Sequence, residues 1–238
     1  MSVKLKILMA IATALALSRD VQANVYAVST FDAGDEGWET TWDSNFVLSQ
    51  WQPVGGNPDG YLSGVDANHG VAWYYHAPDE FEGDMTAFYG GTLDFDLIVN
   101  TQNNIITEDI ADVAIFGNGV TLLHSTAYNP GVAWTHYSVA LDPSAPWYAV
   151  VGDVPIDQLR TYEMSSLLIA TEAQMLQVFS DVNDLYIRGE YSHGPDQGGL
   201  DNAIIARVTD GGTTTAMLGL GLISLGWAGR CARRKTAT

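Results

Sequence analysis

Oxygen-bearing side chains dominate the residues of this chain that could do chemistry. The turn FDAGDEGW (31–38) brings Asp32, Asp35 and Glu36 close together behind a first strand, and LDNA (200–203) sets Asp201 and Asn202 at the opening of a last one. If those two strands run side by side, as first and last strands of a β-sandwich commonly do, carboxylate, amide and carbonyl oxygens converge. Such hard donors suit calcium, which takes six to eight oxygens at about 2.3–2.6 Å. The competing reading is plain turn formation, for which Asp and Gly are the usual residues.

Flat rings are the second resource. Trp42, Trp51, Tyr61, Trp73, Tyr74, Tyr75, Tyr89, Trp134, Tyr137, Trp147 and Tyr148 offer faces on which the C–H side of a sugar stacks, with neighbouring carboxylates and amides to take hydroxyls. In AWYYHA (72–77) the strand period puts Trp73 and Tyr75 on one side and Tyr74 and His76 on the other, so one side is expected to be core.

Covalent catalysis has little to work with. The five histidines, His69, His76, His124, His136 and His193, are scattered and form no His-Glu-X-X-His pair. No Gly-X-Ser-X-Gly elbow, Gly-X-Gly-X-X-Gly loop or Walker sequence occurs. The single cysteine, Cys231, lies near the C-terminus, so residues 24–210 hold no disulfide, thiolate zinc site or cysteine nucleophile. Residues 24–210 carry 27 acidic side chains against three basic ones, Arg160, Arg188 and Arg207, and no lysine. At that density two carboxylates at glycosidase spacing would meet by chance, so their abundance is no sign of an active site. The same charge repels phosphate backbones and argues against nucleic acid as a partner. Arg188, in mid-strand, is expected to pair with a buried carboxylate.

The elements that must hold these residues read as short strands punctuated by Gly, Asn and Asp. Eight runs qualify: 25–31, 70–77, 91–99, 112–117, 120–127, 134–141, 185–192 and 200–208. Leu93, Phe95 and Leu97 alternate with Asp94 and Asp96, which predicts one core face and one solvated, edge-like face. The fold class is therefore all-β, an antiparallel β-sandwich of jelly-roll type. One helix is expected over TEAQMLQVFSD (171–181), with Thr171 and Gln174 as a capping box and Met175, Val178 and Phe179 on its apolar side. Residues 52–64 read as a loop, and 162–169 as either a short helix or a strand.

The two ends differ from this body. Residues 1–23 have Lys4 and Lys6, an apolar run from Ile7 to Leu17 and small or neutral residues before a cut after Ala23, the form of a secretory signal peptide. Near the other end, Ala216–Gly229 is uncharged and spans about 21 Å as a helix, short of a hydrocarbon core of ~30 Å. Arg230, Arg233, Arg234 and Lys235 follow as a basic stop on the cytoplasmic side. The expected division is 1–23 signal peptide, 24–207 sandwich domain, and 208–238 sorting motif, short transmembrane helix and basic tail.

The segment Val208-Thr209-Asp210-Gly211-Gly212-Thr213, with the glycine- and leucine-rich run and arginine cluster behind it, resembles a PEP-CTERM sorting signal of the Val-Pro-Asp-X-Gly-X-Thr variety. Threonine stands where that motif has proline. The resemblance implies an exosortase-type processing enzyme as partner, and a place in the periplasm, cell surface or matrix of a Gram-negative bacterium after initial anchoring in the inner membrane.

The body resembles the laminin B domain, or laminin domain IV. YYHAPDEFEGDMTAFYGGTLDFDL (74–97), DVAIFGNGVTLL (112–123), Trp134, TEAQMLQVFSDVNDLYIRGEYSHG (171–194) and GGLDNAII (198–205) carry the likeness, in order, across roughly residues 31 to 206. It implies a galactose-binding-like sandwich without catalytic machinery, in which a structural calcium at the Asp32 and Asp201 turns would be in keeping. Residues 147–169 are longer than the family pattern and are expected to form a surface excursion. The function expected is a non-catalytic surface or matrix module that binds extracellular polysaccharide or another envelope component. A secreted glycoside hydrolase or lyase, and a purely structural envelope protein, are the alternatives.

Overall fold

Strand β6 (Thr92–Val99) shows the organising rule of the fold. Leu93, Phe95, Leu97 and Val99 point into one core while Asp94, Asp96 and Ile98 face away, the two-residue period of a pleated strand. The computed structural model describes residues 23–41, 47–66, 72–100, 105–106, 109–152 and 154–208. Residues 1–22 of the stretch read as a signal peptide, the tail from Thr209 onward and Trp42 lie outside the described residues, and no helix among the described residues is long and apolar enough to cross a membrane. Residues 25–207 make one compact unit.

Two antiparallel six-stranded sheets face each other. The first, sheet A, runs β3 (Val47–Gln52), β4 (Tyr61–Asp66), β12 (Asp196–Val208), β6 and β9 (Thr135–Ala140), with β1 (Ala23–Ser29) also paired to β12. The second, sheet B, runs β10 (Trp147–Val151), β8 (Val120–His124), β7 (Val113–Gly117), β11 (Val182–Arg188), β5 (Tyr74–His76) and β2 (Glu39–Thr41). The first and last strands are neighbours, as expected. The main core between the sheets is aromatic at its centre, with Trp38, Trp73, Tyr75, Phe81, Phe95, Trp147 and Phe179 all buried.

Among the described residues there is one α-helix, α1 (Glu172–Phe179), which packs against β7 and β8. Its capping box forms as read: Thr171 Oγ1 accepts the Gln174 backbone N–H, and Gln174 Oε1 accepts the Thr171 N–H at 3.0 Å. Met175, Val178 and Phe179 are its buried residues.

Three expectations need correction. Residues 61–64, read as the end of a loop over 52–64, belong instead to β4 in the interior of sheet A, between β3 and β12. Its low β-propensity has a steric cause: Gly64 lies under the Trp73 indole, where a Cβ would sit 2.2 Å from Cη2. The excursion after Trp147 is more than surface. It begins as β10, and Val154, Leu159 and Met164 then pack with Tyr74, Ala114, Phe116 and Leu123 as a second core on the outer face of sheet B. Finally, the Asp94/Asp96 face is no edge, because β6 pairs with β12 on one side and β9 on the other.

The second core also settles AWYYHA. Trp73 and Tyr75 enter the main core and Tyr74 the second, so both sides of that segment pack against apolar groups. Within 162–169, Met164–Ser166 is a single 3₁₀ turn, and Ile169 makes an isolated bridge to Tyr148.

Candidate functional site

With the outer face of sheet B covered by the second core, the outward face of sheet A carries the polar groups of interest. It bears Asp94, Asp96 and Ile98 from β6, His136 and Ser138 from β9, and Tyr61 from β4. Gln197 and Asp201 of β12 join them. Asp201 stands directly opposite Asp96 in the β12–β6 register, so the two carboxylates share this face. Behind Asp201 the register breaks with a bulge before Ile204, and Asn202 takes a left-handed conformation, φ 51°. That bulge re-aims the Asn202 amide.

The loop 53–60 folds over the paired carboxylates. Asn57 N–H donates to Asp201 Oδ2 at 2.5 Å and Asn57 Nδ2 to Asp96 Oδ2 at 3.1 Å. Asn202 Nδ2 donates to Asn57 O at 2.5 Å and to Asp96 Oδ2 at 2.9 Å, and the Asn202 N–H to Asp201 Oδ1 at 2.7 Å. His136 Nδ1 lies 2.8 Å from Asp96 Oδ1, with its Nε2 3.9 Å from Asp94 Oδ1. The Asn57–Pro58 peptide within this loop is cis. Burial pushes the Asp201 carboxyl up to about 6; the Asn57 and Asn202 N–H groups act against that, while Asp96 and Asp32 add to it.

The loop is pinned at its other side by an aromatic pair. Trp134 Nε1–H donates to Gly55 O at 2.9 Å, and the Trp134 ring meets Tyr61 edge to face at 5.4 Å between centroids. Next to Tyr61 a groove of about 150 Å³ runs along Ile98, Val99, Asn100, Gln197 and Gly198. Gln197 Nε2 donates to Ser63 Oγ at 2.8 Å, which fixes the amide at the groove. The arrangement can hold a small polar ligand against a ring, with amide and carboxylate oxygens to accept its hydroxyls. A wider open cleft of about 410 Å³ lies between β8 and β9, lined in part by His124, Tyr128, Tyr137 and Pro146. There burial lowers the His124 pKa, and Tyr128 stacks on Tyr137.

The residues anticipated for calcium are placed as follows. Asp201 is buried with both carboxylate oxygens already accepting N–H bonds, and Asn202 is spent on Asn57 and Asp96. Asp32 accepts from Thr30 Oγ1 at 2.9 Å, Asp35 Oδ1 accepts the Gly37 N–H at 3.2 Å, and Glu36 is an exposed turn residue at φ 52°. Asp32 is near enough to raise the Asp201 pKa, yet among the described residues the groups of three or more His, Cys, Asp or Glu whose ligand atoms converge lie elsewhere. Sequence reasoning found Asp201 and Asn202 but missed Asn57, Asp96 and His136 as their partners; those contacts join residues 39 to 145 positions apart.

Of the anticipated rings, Trp73, Tyr74, Tyr75, Tyr137 and Trp147 are buried in packing. Trp51 is partly exposed and donates Nε1–H to Phe31 O at 2.7 Å. Tyr61 and Trp134 remain half-buried on the sheet A side. Arg188 forms the expected buried pair, its Nη1 3.5 Å from Asp112 Oδ1 and its guanidinium 4.7 Å over the Tyr191 ring.

The family model for laminin B (Domain IV) matches residues 74–216, more than half of the chain. The chain belongs to the laminin B family. The L4b domain of human laminin alpha-2 is similar in fold, with a TM-score of 0.55 at 14% identity over 80% of this chain and 100% of that one. The family 11 carbohydrate-binding module of cellulase Lic26A-Cel5E of Clostridium thermocellum aligns at 12% identity over 80% of this chain and 97% of that one, with a TM-score of 0.46. An exo-beta-agarase aligns at 12% identity over 75% of this chain and 24% of its own, again at a TM-score of 0.46.

Proposed function

We propose that this laminin B protein is an exported, non-catalytic module that binds a neutral polysaccharide along the outer face of sheet A. The observation that carries the reading is the Tyr61–Trp134 pair beside a groove whose other walls present the Asn100 and Gln197 positions. A pyranose presents apolar C–H faces and equatorial hydroxyls, which call for this combination of ring and amide. The acidic surface disfavours uronate-rich chains, so an uncharged glycan is the class expected. Export follows from the secretory form of residues 1–23, and sorting through 208–238 by an exosortase-type enzyme, with the short apolar run as an initial inner-membrane anchor, completes the proposal. A calcium ion at the Asp32 and Asp201 turns belongs to the same proposal, taking the lone pairs of Asp201 that the Asn57 and Asn202 N–H groups leave.

A non-catalytic role is supported by the way the carboxylates on this face are used. Asp96 and Asp201 hold the 53–60 loop, and neither offers an oxygen free of N–H donors to a glycosidic bond. The test is a glycan array followed by calorimetry on Tyr61→Ala, Trp134→Phe and Tyr128→Ala. Loss of roughly tenfold in affinity, about 1.4 kcal/mol, is expected for Tyr61→Ala. Trp134→Phe keeps a ring while removing the bond to Gly55, and should lose less. Saturable binding that survives Tyr61→Ala and vanishes in Tyr128→Ala would move the site to the wider cleft, and no saturable glycan at all would leave a structural envelope protein. Release of reducing ends would refute the non-catalytic reading. Cell fractionation with the intact mass of the mature protein reads both terminal cleavages.

A further inference from the structure

A second acidic group lies away from the glycan face, fully inside the protein. Asp66 ends β4, Asp196 begins β12, and Glu190 sits in the connection between β11 and β12. Their exposures are 1%, 3% and 0%. Asp66 and Asp196 are directly opposed in the β4–β12 register, a like-charge pairing that destabilises a sheet unless something neutralises it. One oxygen of each of the three lies within 4.8 Å of the other two.

Two further facts set this group apart from a chance crowd of carboxylates. Both oxygens of Glu190 are buried without any hydrogen-bond partner. Asp196 makes long contacts, 3.5 Å from Trp73 Nε1, 3.5 Å from the Tyr191 N–H and 3.4 Å from Ser192 Oγ. A fourth buried carboxylate, Asp112, faces Arg188, the one buried guanidinium among the described side chains. Arg188 gives its Nε–H to the Glu190 backbone carbonyl at 2.5 Å rather than to the Glu190 carboxylate. The carboxylates thus outnumber the cation that serves them. A buried anion with no partner is far too costly to persist as such.

We propose that Asp66, Glu190 and Asp196 form an internal binding site for one calcium ion. Oxygens bound to a common ion at about 2.3–2.6 Å are separated by at most about 5 Å, and those of Asp66, Glu190 and Asp196 all lie within 4.8 Å of one another. The donors are oxygens only, the class that selects calcium over zinc or copper. The ion ties β4, β12 and the 189–195 connection at one point and reconciles Asp66 with Asp196. Because the group is enclosed, the ion is loaded during folding.

The experiment uses the mature protein unfolded in urea with chelator, then refolded with calcium, with terbium or with chelator alone. Terbium replaces calcium at oxygen sites and emits when a nearby tryptophan is excited; Trp73 is in contact with the site. One equivalent of ion at this site, counted apart from any at the Asp32 and Asp201 turns, is expected, with terbium emission that calcium displaces and a melting temperature raised by roughly 5–10 °C at one hundred times the dissociation constant. Glu190→Gln should abolish emission and the calcium response while melting at least as high as wild type in chelator. Asp66→Asn is the second variant should the first fold poorly, and Asp181→Asn, at an exposed carboxylate outside the site, should leave emission intact. Absence of bound ion in the wild type, emission retained by both site variants, or emission lost in Asp181→Asn as well, would each overturn the assignment.

Discussion

Replacing Gly64 by alanine probes the packing on which the sheets depend. The Trp73 indole lies between glycines: a Cβ at Gly64 would meet Cη2 at 2.2 Å, one at Gly189 would meet Cζ3 at 2.0 Å, and one at Gly198 would meet Cη2 at 3.4 Å. Ordinary carbon contacts begin near 3.5–4.0 Å, so the indole would have to retreat by more than about 1 Å. It has nowhere to go, being fully buried with Gly189 on the ring as well. Overpacking of this kind costs about 1–3 kcal/mol, and the severity of the clash puts Gly64→Ala at or beyond the upper end. For a domain of this size that lowers the melting temperature by roughly 6–12 °C. Thermal and urea melts measure it, with two controls. Gly34→Ala, where a Cβ meets nothing, should be neutral, and Gly119→Ala, open but at φ 69°, should cost about 1 kcal/mol from backbone strain. In a double-mutant cycle Trp73→Phe removes the benzo ring that clashes, so the pair should be less destabilised than the two single changes added together. Gly64→Ala melting within about 2 °C of wild type would refute the reasoning.

Thr171→Ala removes the N-cap of α1, and with it the bond from the Gln174 N–H; a loss of about 1 kcal/mol is expected in chemical denaturation. A variant as stable as wild type would mean that the end of the helix is held by packing alone. For Asp201 the linkage runs as follows: its pKa is raised from 3.8 to about 6 in the folded state, so the folded protein holds the extra proton between those values. Stability from this group is therefore complete below about pH 3.8 and is lost as pH rises through about 6, with a slope of at most about 1.4 kcal/mol per pH unit. Comparison of melting temperatures from pH 4 to 6.5 for wild type and Asp201→Asn should show the flatter profile in the variant; superimposed profiles would remove the role given to burial there.

Legibility followed the range over which each signal acts. The alternation of β6, the Thr171–Gln174 box and the need of Arg188 for a partner are local or compulsory, and each appears in the fold as read. β4 escaped because its glycine answers to Trp73, nine positions on and from a different sheet. The second core escaped because Tyr74 and Trp73 are both aromatic, and period alone does not say that two opposite faces are both covered. On the outer face of sheet A, Asp201 and Asn202 stood out by type, while Asp96 and His136 reach them only through sheet register and Asn57 only through the folding of the 53–60 loop. The trio of Asp66, Glu190 and Asp196 gave no local pattern; a strand pairing and an enclosed connection create it.

The second core has a consequence for how the molecule opens. β7 and β8, with every residue buried, and most of β11 lie between two apolar layers. Their amide protons should be the last to trade with solvent deuterium, reporting only the loss of the entire domain. Trimming residues 154–167 would bare a flat, greasy sheet whose natural response is to glue itself to another copy.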